Sequence, residues 1–218
     1  MAIATLITAC HNENRAGDGT QVRRGMAAIE GIPQDGSTLG RGDAPWTLSV
    51  ISAATSYELD QLITLLPAVT DQLVRPGRLK VQMYTPSTGR YQGNGDDRIA
   101  AGALLAAGLQ GRYWDALVRF VPTHRGKLTV DELVAMLRRS GVGDVRRAMT
   151  ERFGPRVRVA LARAEAAAKA TSERDGVAYL LTPAEGPTAE VTLPATYGKL
   201  VEEISRLMTL GARGGIRP

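Results

Sequence analysis

Between Trp46 and Tyr84 the chain changes its hydrophobic period twice, and this constrains the fold more than any other feature. Trp46-Thr-Leu-Ser-Val-Ile-Ser52 is an apolar run of strand length. It breaks at Ala53-Ala-Thr-Ser-Tyr-Glu58, and a helical pattern follows from Leu59 to Leu73. Arg75-Pro-Gly77 then makes a turn, and Leu79-Lys-Val-Gln-Met-Tyr84 alternates apolar with polar residues as a half-buried strand does. Strand, helix and strand of these lengths predict a right-handed parallel βαβ unit, and therefore an α/β domain.

Downstream the signals are mostly helical. Thr85 to Asp96 is a Gly-rich loop, in which Gly93-Asn-Gly95 marks a turn and is too isolated to be a phosphate loop. A small-residue helix starts at Asp97 and ends near Gly111, and Arg112 to Val118 continues as another. Thr129-Val-Asp-Glu132 has capping-box spacing for a helix from Val130 to Arg139 that stops at Gly141. Asp144 caps a helix with Val145, Ala148 and Met149 on one face, and Pro155 opens a long one to about Glu173. Residues 97–174 are thus expected to form an all-helical insertion in a domain spanning 46–210. Gly176 to Thr182 and Thr188 to Leu193 then make a hairpin, Tyr197 to Met208 a last amphipathic helix, and 211–218 a tail.

At 218 residues there is material for one well-cored domain and little more. No run approaches the roughly eighteen apolar residues of a membrane span. The net charge of +5 has many of its arginines between Arg138 and Arg163. They make either solvated helix faces or a surface for anionic lipid or an acidic partner. Nucleic acid is not expected, because no recognised motif and little aromatic interleaving accompany the charge. Cys10 is the only cysteine and His11 and His124 the only histidines, so neither an intramolecular disulfide nor a Cys/His zinc site is expected. Trp46 and Trp114 are expected in the core or at a sheet edge.

Residues 11–45 are rich in Gly, Asp, Asn and Pro, which predicts a linker with one short helix near Val22 to Ile29. Met1 to Cys10 is a short apolar run without a basic start. Leu6-Ile-Thr-Ala-Cys10 resembles a bacterial lipobox, in which the cysteine is acylated, with residues 1–10 then being the end of a lipoprotein signal. The alternative is a first strand with Cys10 buried as a small apolar residue. The first places the protein outside the cytoplasm, tethered to a membrane through Cys10; the second allows a cytoplasmic protein.

Several short stretches resemble the DsbA family of disulfide oxidoreductases: Gly31-Ile-Pro-Gln-Asp-Gly-Ser-Thr-Leu-Gly40, Ala44-Pro45 followed by Thr47-Leu48, and the alanine-rich helix followed by Gln110-Gly-Arg-Tyr-Trp114. The resemblance covers roughly Gly31 to Met208 and implies a thioredoxin-like fold with an all-helical insertion. In that family the turn after the first strand carries Cys-x-x-Cys, the first thiolate being stabilised at a helix N-terminus. Laid on this sequence, the motif falls on Ser56-Tyr57-Glu58-Leu59. The family's Gly-Thr-Pro, whose cis-proline lies beside that turn and helps hold substrate peptide, corresponds to Gly176-Val177-Ala178.

Both thiols and the proline are absent, so the resemblance implies a scaffold without the redox chemistry. A serine hydroxyl is scarcely ionised at neutral pH and forms no reversible bond with sulfur. The expected function is a binding or structural module for protein or peptide, with Ser56, Tyr57, Glu58, Val177 and Ala178 around its site and no cofactor or metal. Two enzymatic alternatives remain. Kappa-class glutathione transferases share the fold and carry serine at this position, so Ser56 could stabilise the thiolate of bound glutathione; or a partner's thiols could supply an oxidoreductase activity. The plainer role for Thr55 or Ser56 is a helix N-cap, and Glu58 suits the positive end of the helix dipole.

Overall fold

The computed structural model describes residues 19–56, 58–87, 97–123, 128–171, 177–185, 188–190 and 199–212. Cys10, His11, His124, Tyr57, Gly176 and the Gly93-Asn-Gly95 turn lie outside these residues, as do the expected roles of Cys10 and Tyr57.

The expected parallel unit forms the centre of the sheet. Strand β3 (Trp46–Ser52) runs parallel to β4 (Leu79–Tyr84), with Leu48 opposite Val81 and Val50 opposite Met83. On its other side β3 pairs antiparallel with β5 (Val177–Pro183), in a register that sets Ile51 against Ala178 and Ser52 against Val177. A two-residue strand β6 (Ala189–Glu190) pairs antiparallel with β5. Helix α2 (Glu58–Val69) connects β3 to β4 and buries Leu59, Leu62, Ile63 and Leu66 in the main core.

Where it is described, the stretch 11–45 contains the expected helix but is otherwise not a linker. Residues 19–29 form a helix, α1, followed by a hairpin of β1 (Gln34–Asp35) and β2 (Thr38–Leu39). Strand β2 pairs antiparallel with β4, extending the sheet to the order β1-β2-β4-β3-β5-β6. Residues 19–45 are therefore part of the domain rather than a linker. Ala28, Ile29, Ile32 and Leu39 are buried, and a Cβ on Gly25 of α1 would fall 2.7 Å from a Val118 methyl. Gly25 is thus where α1 lies directly on the helical layer. Arg75 holds the other end of α1, its guanidinium donating to the carbonyls of Ala27, Ala28 and Glu30.

The α2 pattern does not run through as one α-helix. Thr70–Val74 is a π-helical turn, closed by the Arg75 N–H donating to the Thr70 carbonyl at 2.8 Å. In the turn before it, Pro67 has no N–H to give, and the Thr70 hydroxyl donates to the carbonyls of Leu66 and Pro67.

The insertion is all helical: α3 (Asp97–Gly108), α4 (Tyr113–Thr123), α5 (Val130–Arg139), α6 (Val145–Glu151) and α7 (Pro155–Lys169). Both halves of the capping box at Thr129 and Glu132 form, and Asp144 caps α6 by accepting from the Arg147 N–H at 2.8 Å. Helix α7 stops at Lys169, short of Glu173, with the Thr171 hydroxyl donating to the Ala168 carbonyl. The small residues of α3 allow close approach: a Cβ on Gly102 would sit 2.5 Å from the Arg152 carbonyl oxygen, so only glycine fits there. Trp46 and Trp114 are both in the core, and Arg138, Arg139, Arg146, Arg156, Arg158 and Arg163 are exposed. The last helix, α8 (Leu200–Ala212), runs past the Met208 end that its pattern predicts and buries Leu200, Val201, Ile204 and Met208. No helix of the described residues is long and apolar enough to cross a membrane.

Candidate functional site

The carboxyl ends of parallel strands are where α/β sheets place their ligand sites, because the loops leaving those ends converge on helix N-termini. Here they are the turn after β3 and the segment after β4.

The turn is short and internally bonded. Ala53 and Ala54 are buried, while Thr55 and Ser56 are half-buried. The Ser56 N–H donates to the Ala53 carbonyl at 3.1 Å, and the Ser56 carbonyl accepts from the Leu59 N–H at 3.2 Å. Ser56 thus stands two positions before Glu58, the first residue of α2. Leu59 is fully buried and belongs to the main core. Of the two thiol positions of the resembling family, one holds a half-buried hydroxyl and the other a core leucine.

Two carboxylates from the helical insertion fasten these loops, and the sequence reading found neither. Asp97, only 1% exposed at the start of α3, accepts from the Thr55 N–H at 3.1 Å and also from the Thr55 hydroxyl through the same oxygen. Glu165 of α7 accepts from the Ser87 N–H at 2.8 Å and from the Ser87 hydroxyl at 3.3 Å. The loop after each parallel strand is therefore tied through its own main chain to the insertion. Charge-assisted bonds of this kind are about twice as strong as neutral ones. The signal for Asp97 was an acid in the first turn of a helix that is apolar or glycine after Arg98, which helix-dipole arguments absorb without looking further.

Between these ties the contact is made of small residues. Ile51, Ala53 and Ala178 from the sheet side pack with Ala168 of α7, with Tyr84 and Leu180 against them. Thr85, just past β4, is buried beside Tyr113 of α4; burial pushes the Tyr113 phenol far above its ordinary range, and the Thr85 hydroxyl draws it only part of the way back. Tyr113 therefore stays neutral at any physiological pH.

The structure thus brings Ser56, Val177 and Ala178 to one end of the sheet, through the pairing of Ser52 with Val177 and Ile51 with Ala178. Val177 and Ala178 are 6% and 3% exposed, so their side chains shape the packing rather than present a surface. The Val177–Ala178 bond is trans, as are all peptide bonds among the described residues. Nothing is described of the Glu58 side chain. Among the described residues no group of three or more His, Cys, Asp or Glu is placed to hold a metal ion.

Sheet, insertion and turn together define a thioredoxin-type scaffold of the DsbA kind, with one cysteine in the chain and no Cys-x-x-Cys pair. No protein-family model and no curated protein matches the sequence. Solved structures do match. The chain is similar to BdbD from Bacillus subtilis in its oxidised form, with a TM-score of 0.65 at 13% identity over 83% of this chain and 98% of that one. It is similar to a thioredoxin-like oxidoreductase from Silicibacter pomeroyi DSS-3, with a TM-score of 0.58 at 17% identity over 79% and 91% of the two chains. It is also similar to Chlamydia trachomatis DsbA, with a TM-score of 0.58 at 13% identity over 83% and 93%. At these identities the likeness shows the fold: a DsbA-like thioredoxin fold with a helical insertion.

Proposed function

We propose that this chain is a DsbA-like scaffold that no longer exchanges disulfides and serves as a binding or structural module for a protein or peptide outside the cytoplasm. The observation that carries the reading is the pair of positions at the start of α2, where Ser56 offers a hydroxyl and Leu59 is built into the core. Disulfide exchange requires a thiolate to attack sulfur, and neither side chain supplies one. The proposed binding surface centres on Ser56 and continues along the chain to Tyr57 and Glu58, with Val177 and Ala178 as buried packing at the same end of the sheet.

The test is an assay of insulin reduction and of the oxidative refolding of a reduced, unfolded protein, with glutathione added separately in a thermal-shift measurement. The expected outcome is activity at the buffer blank and no change in melting temperature. Activity that survives Cys10→Ser would overturn the reading, and activity lost in that variant would make Cys10 the nucleophile. A ligand at 100 times its Kd stabilises the native state by about 2.7 kcal/mol, so specific glutathione binding would be plainly visible and would favour a transferase using Ser56.

The placement outside the cytoplasm rests on Leu6-Ile-Thr-Ala-Cys10 followed by a polar, Gly-rich stretch. One acyl chain gives only marginal membrane binding, and the two or more that lipoprotein processing adds give a stable anchor. On fractionation of cells expressing the full genomic reading frame, the wild type is expected with the membranes and Cys10→Ala is not. Recovery of both in the soluble cytoplasmic fraction at full length would rule the anchor out.

A further inference from the structure

Independently of the turn at Ser56, a cleft of about 600 Å3 opens between the end of α1 and the α3–α4 junction. Clefts that take small organic ligands span roughly 300 to 1,000 Å3. Ile29 and Ile32 supply an apolar wall. The polar lining is Gln34, Arg112 and Asp115, with Glu30 at the exposed rim.

Asp115 is the member that calls for a ligand. It is 9% exposed and accepts one hydrogen bond, from Gln34 Nε2 to Oδ2 at 3.0 Å. Its Oδ1 lies 3.8 Å from Arg112 Nη1, beyond hydrogen-bonding distance. An ionised carboxylate has about four acceptor positions, so with one hydrogen bond from Gln34 and an ion pair to Arg112 the group keeps acceptor positions open toward the cleft. Gln34 cannot turn to help, because its Oε1 accepts from the Trp114 N–H at 3.2 Å and this fixes Nε2 as the donor toward Asp115. The network therefore holds Asp115 as an acceptor on the cleft wall, and Arg112, half-exposed, stands next to it.

The charges decide the ligand. A simple cation would meet Arg112, and a simple anion would meet Asp115 and Glu30. We propose that the cleft binds a primary ammonium group that carries an apolar side chain and a neighbouring carbonyl or carboxylate, the chemistry shared by a free amino acid and the amino terminus of a peptide. The ammonium donates to Asp115 Oδ1 with Glu30 adding attraction, the carbonyl or carboxylate oxygen accepts from Arg112, and the side chain lies on Ile29 and Ile32.

Calorimetric titration of the full chain with leucine, leucylleucine and N-acetyl-leucylleucine tests this, alongside methyl NMR of Ile29 and Ile32. Leucylleucine is expected to bind and shift both methyls, and acetylation of its amine is expected to abolish binding. Asp115→Asn keeps an acceptor for Gln34 and the wild-type melting temperature, yet is expected to weaken leucylleucine about tenfold or more by removing the charged partner. Free leucine binding as well as the dipeptide would identify the free amino acid as the source; weaker binding would identify the peptide terminus. The proposal is overturned by the absence of heat and methyl shifts with both amines at millimolar concentration, by N-acetyl-leucylleucine binding as well as the free amine, or by unchanged affinity in a folded Asp115→Asn. The acetylation comparison uses the wild-type chain and stands even if the variant does not fold.

Discussion

Replacing Trp114 with alanine is expected to remove about 3 to 5 kcal/mol of folding stability, the range for deleting a large aromatic side chain from a packed core. Trp114 is fully buried on α4 and meets the ring of Tyr113 edge-on, with centroids 6.0 Å apart and planes at 69°. Its backbone N–H holds Gln34, so a collapse here also loosens the β1–β2 hairpin. Domains are stable by about 5 to 15 kcal/mol in all, so the variant approaches the threshold of folding. Urea unfolding followed by fluorescence and circular dichroism would show the midpoint falling with the slope unchanged. Trp114→Phe should be much milder, because the indole Nε1–H has no acceptor among the described residues and phenylalanine removes that buried donor along with some area. A loss under about 1.5 kcal/mol in the alanine variant would mean that the helical layer does not depend on this ring.

The second large effect is expected at Asp97. Alanine there leaves the amide of half-buried Thr55 without its acceptor, which costs about 1 to 3 kcal/mol, and also removes a charge-assisted bond from the Thr55 hydroxyl. A total of roughly 2 to 4 kcal/mol follows, with Asp97→Asn recovering part because its carbonyl still accepts. Hydrogen exchange separates this from a general loss of stability: protection of the Thr55 and Ser56 amides should fall further than that of β3. If both amides keep their protection relative to the strand, Asp97 does not fasten the turn.

The parts of this fold that were legible in the sequence are those whose cause is local. The alternation in Leu79–Tyr84 and the apolar run of Trp46–Ser52 mark strands because side-chain period is a property of the segment itself. The capping box at Thr129 and Glu132 was legible to the residue, since both of its hydrogen bonds close within four positions. The illegible parts have causes far away in the chain. Strands β1 and β2 are two residues each, too short to show a period, and exist because β4 offers an edge. Gly25 looked like linker composition, yet its missing side chain is what admits Val118. At the candidate site, the residues standing in for the thiols could be named from resemblance alone. Asp97 and Glu165 could not, because their partners lie 42 and 78 positions away.

The tie between Asp97 and Thr55 also bears on what a pair of thiols placed at this turn could do. Installing cysteines at 56 and 59 would rebuild the motif but not its acidity. The oxidising thiol of a DsbA-type oxidoreductase has a pKa as low as about 3.5, reached where positive potential favours the thiolate. A cysteine at 56 would follow directly on the residue that a buried carboxylate grips by both amide and hydroxyl. Negative charge so placed opposes ionisation of the thiol and works against the helix terminus behind it. The anchor that holds the turn thus sets a limit: with Asp97 in place, sulfur atoms at 56 and 59 would yield a sluggish thiol instead of an oxidant.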